Sequence, residues 1–137
     1  MTQRKTIFIT GGGSGIGRAI AVRFAEAGWF VGLGDVNEAG MAETEALLPG
    51  GFAYSHTFDV TDRAAWDEAL RIVSVAAGGR IDVVANNAGV ALGGALIEAS
   101  TEEIDRIVAV NLRGVIYGAQ AAHPHLKASA PGSCLLN

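Results

Sequence analysis

Thr6-Ile7-Phe8-Ile9-Thr10-Gly11-Gly12-Gly13-Ser14-Gly15-Ile16-Gly17-Arg18-Ala19-Ile20 is the stretch whose reading decides the fold. It runs from a short apolar segment through a glycine-rich turn into an amphipathic pattern, in which Ile16, Ile20, Phe24 and Ala27 are predicted to share one helical face. Strand, glycine turn and helix in that order can hold an anion. Glycine adopts the tight turn and, lacking a side chain, lets a ligand approach the backbone. The unpaired N–H groups of the first helical turn, helped by the helix dipole, then face the negative charge. The spacing is T-G-x-x-x-G-x-G from Thr10 to Gly17, not G-x-G-x-x-G, and Arg18-Ala19 stand where a triphosphate loop would carry Lys-Ser/Thr. Composition alone would also suit a flexible linker, but a position between strand and amphipathic helix argues against that.

Outward from this turn, strand-like and helical patterns alternate. Strands are predicted over about 6–10, 29–35, 52–59, 81–85 and 133–137, and helices over about 15–27, 38–48, 62–77 and 101–122. Trp66, Leu70 and Val73 share a face of the third helix, and Ser100 with Glu103 forms a capping-box pattern at the start of the fourth. Pro49-Gly50-Gly51 and Gly78-Gly79 punctuate helix ends, and Pro124 is expected to end or kink the fourth helix. This alternation predicts an α/β fold, a Rossmann-type doubly wound parallel sheet of about five strands ordered 3-2-1-4-5, as one domain over 1–137. A ligand is expected at the carboxyl ends of the strands, where the order reverses.

Half of the 137 residues are hydrophobic, enough for a sizeable core, and the net charge of −4 gives no reason to expect nucleic acid or an anionic membrane surface. Cys134 is the single cysteine, so an internal disulfide is excluded. The apolar run after Arg4 and Lys5 is too short for a signal peptide, and no segment reaches the ~20 residues of a membrane span. A soluble, cytoplasmic chain is the expectation.

Four further positions carry candidate chemistry. Asp35 ends the second strand, where a carboxylate can accept hydrogen bonds from adenosine ribose hydroxyls and would repel a 2′-phosphate. Neither Ser14 nor Val36 supplies a cation to reverse that preference, which favours NAD over NADP; a helix-capping role before Asn37 and Glu38 is the competing reading. Asp59 ends the third strand and could accept from an adenine amino group or cap the next helix, although Thr61 or Asp62 suits the cap better. Asn86-Asn87-Ala88-Gly89 ends the fourth strand; taken alone it reads as a turn, while small and amide residues there could also line the cofactor's ribose. Asn111 falls in a stripe with Ile104, Val108 and Val115, where an amide must find partners, either in the core or in a site.

Taken together and in this order, these motifs resemble the short-chain dehydrogenase/reductase family over essentially the whole chain. The resemblance implies a Rossmann fold, a nicotinamide cofactor, here NAD, and hydride transfer to or from a small-molecule alcohol or carbonyl. It implies cofactor contacts from Gly11, Gly13, Ser14, Gly15, Ile16, Gly17, Asp35, Asp59, Val60, Asn87, Ala88 and Gly89, and a catalytic place for Asn111, which in the family helps hold a water that connects to the active-site lysine. No metal is implied, and a homo-oligomer is compatible with the family.

Family members are nearly twice as long. Beyond the fifth strand they carry a serine and a Tyr-x-x-x-Lys motif whose tyrosine is the general acid/base. Here Tyr54 and Tyr117 are followed four residues on by Phe58 and Ala121. The chain is therefore expected to be the cofactor-binding N-terminal part of such an enzyme, stopping before the catalytic serine and without turnover by itself. A noncatalytic dinucleotide-binding module and a functionless truncated product are the rivals. Ser133 marks the start of the fifth strand, His123 and His125 read as surface residues around Pro124, and Cys134 reads as a packed thiol. His56 is expected within the third strand. The fifth strand is expected to form a sheet edge that favours self-association.

Overall fold

A computed structural model describes residues 3–137. β1 (Thr6–Thr10) is buried at every position, because both faces of a parallel sheet are covered. Its side chains alternate, sending Ile7 and Ile9 to one layer and Phe8 to the other. The chain continues through α1 (Gly15–Glu26), β2 (Phe30–Asp35), α2 (Glu38–Glu45), β3 (Ala53–Thr57), α3 (Arg63–Ala76) and β4 (Val83–Ala85). A short 3-10 turn (Leu96–Glu98) precedes α4 (Thr101–Val108), a π-helical turn (Ala109–Arg113), α5 (Gly114–Ala128) and β5 (Cys134–Leu136).

The five strands are ordered β3-β2-β1-β4-β5 and every pairing is parallel, as the sequence predicts. In the central register Ile7 faces Val31 on one side and Val83 on the other. Ile7, Ile9, Val31, Leu33 and Val83 pack on α1 and α2 through Ala21 and Met41. Phe8, Phe58 and Trp66 form an aromatic cluster with ring centroids 5.2–6.1 Å apart, extended by Leu70 and Val73 of α3 and Ala121 and Ala122 of α5. At the amino end of the sheet, fully buried Asp82 accepts from Thr6 N at 2.9 Å and from Arg80 Nε at 2.6 Å, tying β4 to β1.

Several expectations are corrected. α1 does not bury a stripe from Ile16 to Ala27: its buried face is Gly17 and Ala21, with Ile20 and Phe24 partly covered, and Ile16 is exposed. The reason is close packing. A Cβ on Gly17 would lie 2.1 Å from Gly11 O, so the helix sits against the turn on its smallest residue. The predicted helix over 101–122 is split. The π-turn Ala109–Arg113 adds a residue to one turn and rotates α5 relative to α4, so Ile104 and Val108 do not continue into the buried face of α5 at Gly114, Gly118, Ala121 and Ala122. Ile104 and Val108 are exposed, and so is Asn111, which is therefore not a core asparagine.

Pro124 does not end the helix, which runs on to Ala128. Pro124 and Gln120 are both exposed, so the carbonyl that loses its donor can turn to water. Cys134 is exposed rather than packed: on the edge strand β5, Leu135 faces the α3/α5 layer while Cys134 and Leu136 point the other way.

Candidate functional site

A cleft of about 620 Å³ opens at the carboxyl edge of the sheet. Gly11, Ser14, Gly15 and Ile16 line it from the turn, Asp35 and Val36 from β2, and Asp59, Val60 and Thr61 from the segment after β3. Asn87, Ala88, Gly89 and Val90 line it from the segment after β4, and Arg106, Ala109 and Val110 from α4 and the π-turn. The structure thus gathers the sequence-predicted residues around one cavity. Gly13, Gly17 and Asn111 are not part of the lining, but each touches a residue that is: Gly13 bonds Asp35, Gly17 packs on Gly11 and Asn111 bonds Val90.

The turn is built by backbone geometry. Gly11 and Gly15 have φ of +67° and +53°, which L side chains rarely adopt. Ser14 is the N-cap of α1 in extended conformation, and its side chain caps nothing. By contrast Asn37, Asp62 and Ser100 accept from first-turn N–H groups of α2, α3 and α4, the last in the predicted capping box. The first-turn N–H groups of α1 therefore lack a side-chain cap where the helix opens onto the cleft, which suits an anion brought by a ligand.

Asp35 does two jobs at once. Its Oδ2 accepts from Gly13 N at 2.9 Å, and its Oδ1 accepts from Asn37 N at 3.0 Å. The competing helix-capping reading is corrected: Asn37, not Asp35, caps α2, and Asp35 only accepts from the N–H of that cap residue. Each oxygen keeps a lone pair for a further donor, and the carboxylate is held by two bonds rather than free to rotate. Asp59 Oδ1 accepts from Thr61 N at 2.9 Å and from the Thr61 hydroxyl at 2.8 Å, while Asp62 caps α3.

The Asn-Asn-Ala-Gly segment is fastened to β1. Asn87 N and Ala88 N donate to Thr10 Oγ1 at 3.1 and 3.0 Å, and Asn87 Nδ2 donates to Thr10 O at 3.0 Å. Buried Asn86 instead donates through Nδ2 to Val115 O at 3.1 Å and to Asn137 Oδ1 at 2.9 Å. Asn111 Nδ2 donates to Val90 O at 2.7 Å, and its Oδ1 accepts from Val90 N at 2.8 Å. This amide pairs with one residue's backbone as a neighbouring strand would. It fixes the start of the 90–99 loop at the cleft.

Sequence reasoning misses several contributors, among them Arg106, Val110 and Arg18. Arg106 and Val110 reach the cleft because α4 and the π-turn lie across it, which periodicity does not reveal. Arg18, which the sequence marks only as different from a triphosphate-loop lysine, bonds Gly13 O at 2.7 Å. The available signal is that the carbonyls of a glycine turn need donors. Among the described residues no group of three His, Cys, Asp or Glu could hold a metal ion. No helix among the described residues is long and apolar enough to cross a membrane.

The short chain dehydrogenase family profile matches residues 5–135. Meso-2,3-butanediol dehydrogenase of Serratia marcescens is 37% identical over 135 residues, 98% of this chain and 53% of that protein. The probable oxidoreductase EphD of Mycobacterium tuberculosis is 38% identical over 133 residues, 96% of this chain and 22% of that protein. The crystal structure of a 3-ketoacyl-(acyl-carrier-protein) reductase from Brucella melitensis, complexed with NADH, superposes with a TM-score of 0.84 at 33% identity, covering 93% of this chain and 52% of that one. The chain thus spans from about a fifth to about half the length of these relatives. With its motifs in register along one sheet edge and its length matched almost end to end, the chain belongs to the short-chain dehydrogenase family.

Proposed function

We propose that this chain is the nucleotide-binding part of an oxidoreductase that transfers hydride between NAD(H) and a small-molecule alcohol or carbonyl, acting in the cytoplasm. The observation that carries the reading is the pairing of an uncapped α1 N-terminus with the anchored Asp35 carboxylate in one cleft. Family membership, an NADH complex of the Brucella neighbour and a diol dehydrogenase among the relatives support the same class of chemistry.

In this reading the turn from Gly11 to Gly17 offers backbone N–H groups to the pyrophosphate, with Gly13 positioned by Asp35 and Gly17 allowing the close approach of α1. Asp35 accepts from the adenosine ribose hydroxyls, and its negative charge disfavours a 2′-phosphate. Asp59 and Val60 face the adenine, and Asn87, Ala88 and Gly89 border the second ribose. When bound, the nicotinamide ring supplies the carbon that gives or takes the hydride. Asn111 holds Val90 and thereby the loop nearest the reacting end.

A noncatalytic dinucleotide-binding module is the second reading. Tyr54 and Tyr117 have no lysine four positions on, so these 137 residues carry the nucleotide-binding positions and not the family's general acid/base. Titration with NADH and NADPH, followed by nicotinamide fluorescence, tests the proposal. NADH is expected to bind more tightly. Equal or tighter NADPH binding would overturn the NAD preference, and binding of neither would overturn the nucleotide assignment.

A further inference from the structure

Arg18 lies one helical turn after Ser14, outside the cleft lining, and is directed at α2. Its Nη2 donates to Gly13 O at 2.7 Å and Gly40 O at 3.3 Å and pairs with Glu43 Oε2 at 2.8 Å. Its Nε donates to Thr44 Oγ1 at 3.0 Å. Thr44 is fully buried, and its hydroxyl reaches Gly12 O at 2.8 Å and Gly40 O at 3.1 Å. Because Arg18 fills an acceptor position on that oxygen, the hydroxyl's one proton is left for a carbonyl, and Gly12 O is the nearer.

A trans peptide is planar, with its C=O and the following N–H pointing in opposite directions. Holding Gly12 O on the α2 side therefore sends Gly13 N–H the other way, and it is found on Asp35 Oδ2 at 2.9 Å. Holding Gly13 O in the same manner sends Ser14 N–H away from α2, at the residue that lines the cleft. Glycine peptides are the ones most free to flip, and a flip here would aim a carbonyl oxygen at the anion position.

We propose that Arg18, acting through Gly13 O and Thr44, is a positioning residue for phosphate binding: it locks two successive peptides of the turn, so that Gly13 N–H stays on Asp35 and Ser14 N–H faces a dinucleotide's pyrophosphate. The inference rests on the proposed nucleotide-binding role of the cleft. Arg18 touches no ligand in this arrangement. Glu43 completes its shell and keeps the guanidinium on the α2 side.

The test compares the parent chain with Arg18→Met and Arg18→Lys, at a temperature where circular dichroism shows each fully folded. The probes are NADH by fluorescence, with ADP and adenosine as competitors. Arg18→Met should weaken NADH and ADP about tenfold or more while leaving adenosine, which has no phosphate, within about twofold. Arg18→Lys should lie between, because one ammonium cannot bridge Gly13 O and Thr44 Oγ1 in the fork geometry of a guanidinium; it also supplies the comparison if the methionine variant does not fold. Unchanged ADP and NADH affinity in the substituted chains would overturn the proposal. Equal weakening of all three probes would also overturn it, since that is the mark of a general loss of structure. If the parent chain binds neither NADH nor ADP, the nucleotide reading fails and this inference falls with it.

Discussion

Gly17→Ala puts the turn's architecture under direct strain. An added Cβ would lie 2.1 Å from Gly11 O and 2.8 Å from both Gly11 C and Asn87 Nδ2. Carbon and oxygen normally rest about 3.3 Å or more apart, so α1 and the turn must separate by roughly 1 Å. Both obstacles near the new methyl are fixed: Gly11 O is backbone, and Asn87 Nδ2 is held on Thr10 O at 3.0 Å. Alanine gains about 1 kcal/mol over glycine as a helix former. Overpacking against atoms that cannot turn aside costs about 1–3 kcal/mol or more. At 2.1 Å from a fixed oxygen the clash sits at the top of that range, so the net loss is about 2 kcal/mol, or roughly 7 °C in Tm for a domain of this size.

Binding should suffer more than folding, because groups that hold a ligand must stay within about 0.5 Å of their working positions. NADH affinity is expected to fall about tenfold or more, as 1.4 kcal/mol of lost contact corresponds to tenfold. Thermal melts by circular dichroism and NADH fluorescence titration of the same samples provide the assay. Gly17→Val, with two further methyl groups at the same spot, should abolish binding. An alanine variant with unchanged Tm and NADH affinity within twofold would refute the close-approach argument. A lowered Tm with unchanged NADH affinity would refute the assignment of this turn to the pyrophosphate.

Asp35→Ala should weaken NADH by at most about 1.5–3 kcal/mol, the worth of a charged hydrogen bond, and narrow the gap to NADPH in paired titrations. Asp82→Ala should cost about 2–3 kcal/mol in urea denaturation, because Thr6 N–H loses its acceptor in a fully buried position and Arg80 loses its partner. Burial outweighs the pull of Asp67 and lowers the His125 pKa from its usual 6.5, so the unfolded chain takes up the proton more readily. This contribution to stability is present above pH 6.5 and is lost as pH falls below it toward the folded value, and His125→Gln should flatten Tm against pH in that window. Across a panel of alcohols and ketones the 137-residue chain should show no NAD(H) turnover above background, since positioned acid–base help is worth about 10²–10⁴ in rate; turnover abolished by Asn111→Ala would refute this.

The glycine turn, the five parallel strands and their order were legible because each rests on local pattern. Apolar runs of strand length, helices between them and punctuating glycines admit few topologies once crossovers must be right-handed. Ser100 was legible as a cap for the same reason, and Asp62 as one of two candidates with Thr61: capping is a matter of three or four residues. The candidate site was legible as a set of positions, since doubly wound sheets bring strand ends together whatever the side chains do.

Facts about opposing surfaces lay beyond the sequence. That Ile16 turns away from the sheet depends on how near α1 comes to Gly11 across Gly17. That Asn111 holds Val90 from an exposed position depends on a π-turn, which no 3.6-residue periodicity announces. Cys134 is exposed because its side of an edge strand has no covering layer, and Arg18 fastens the turn because α2 lies within its reach. Strand ends and helix starts by themselves determined where the cleft opens, because they follow from hydrogen bonding and hydrophobic period within the chain. Which atoms hold the binding turn in shape was decided only by tertiary packing, because a carbonyl or a guanidinium takes whatever partner the fold brings within about 3 Å.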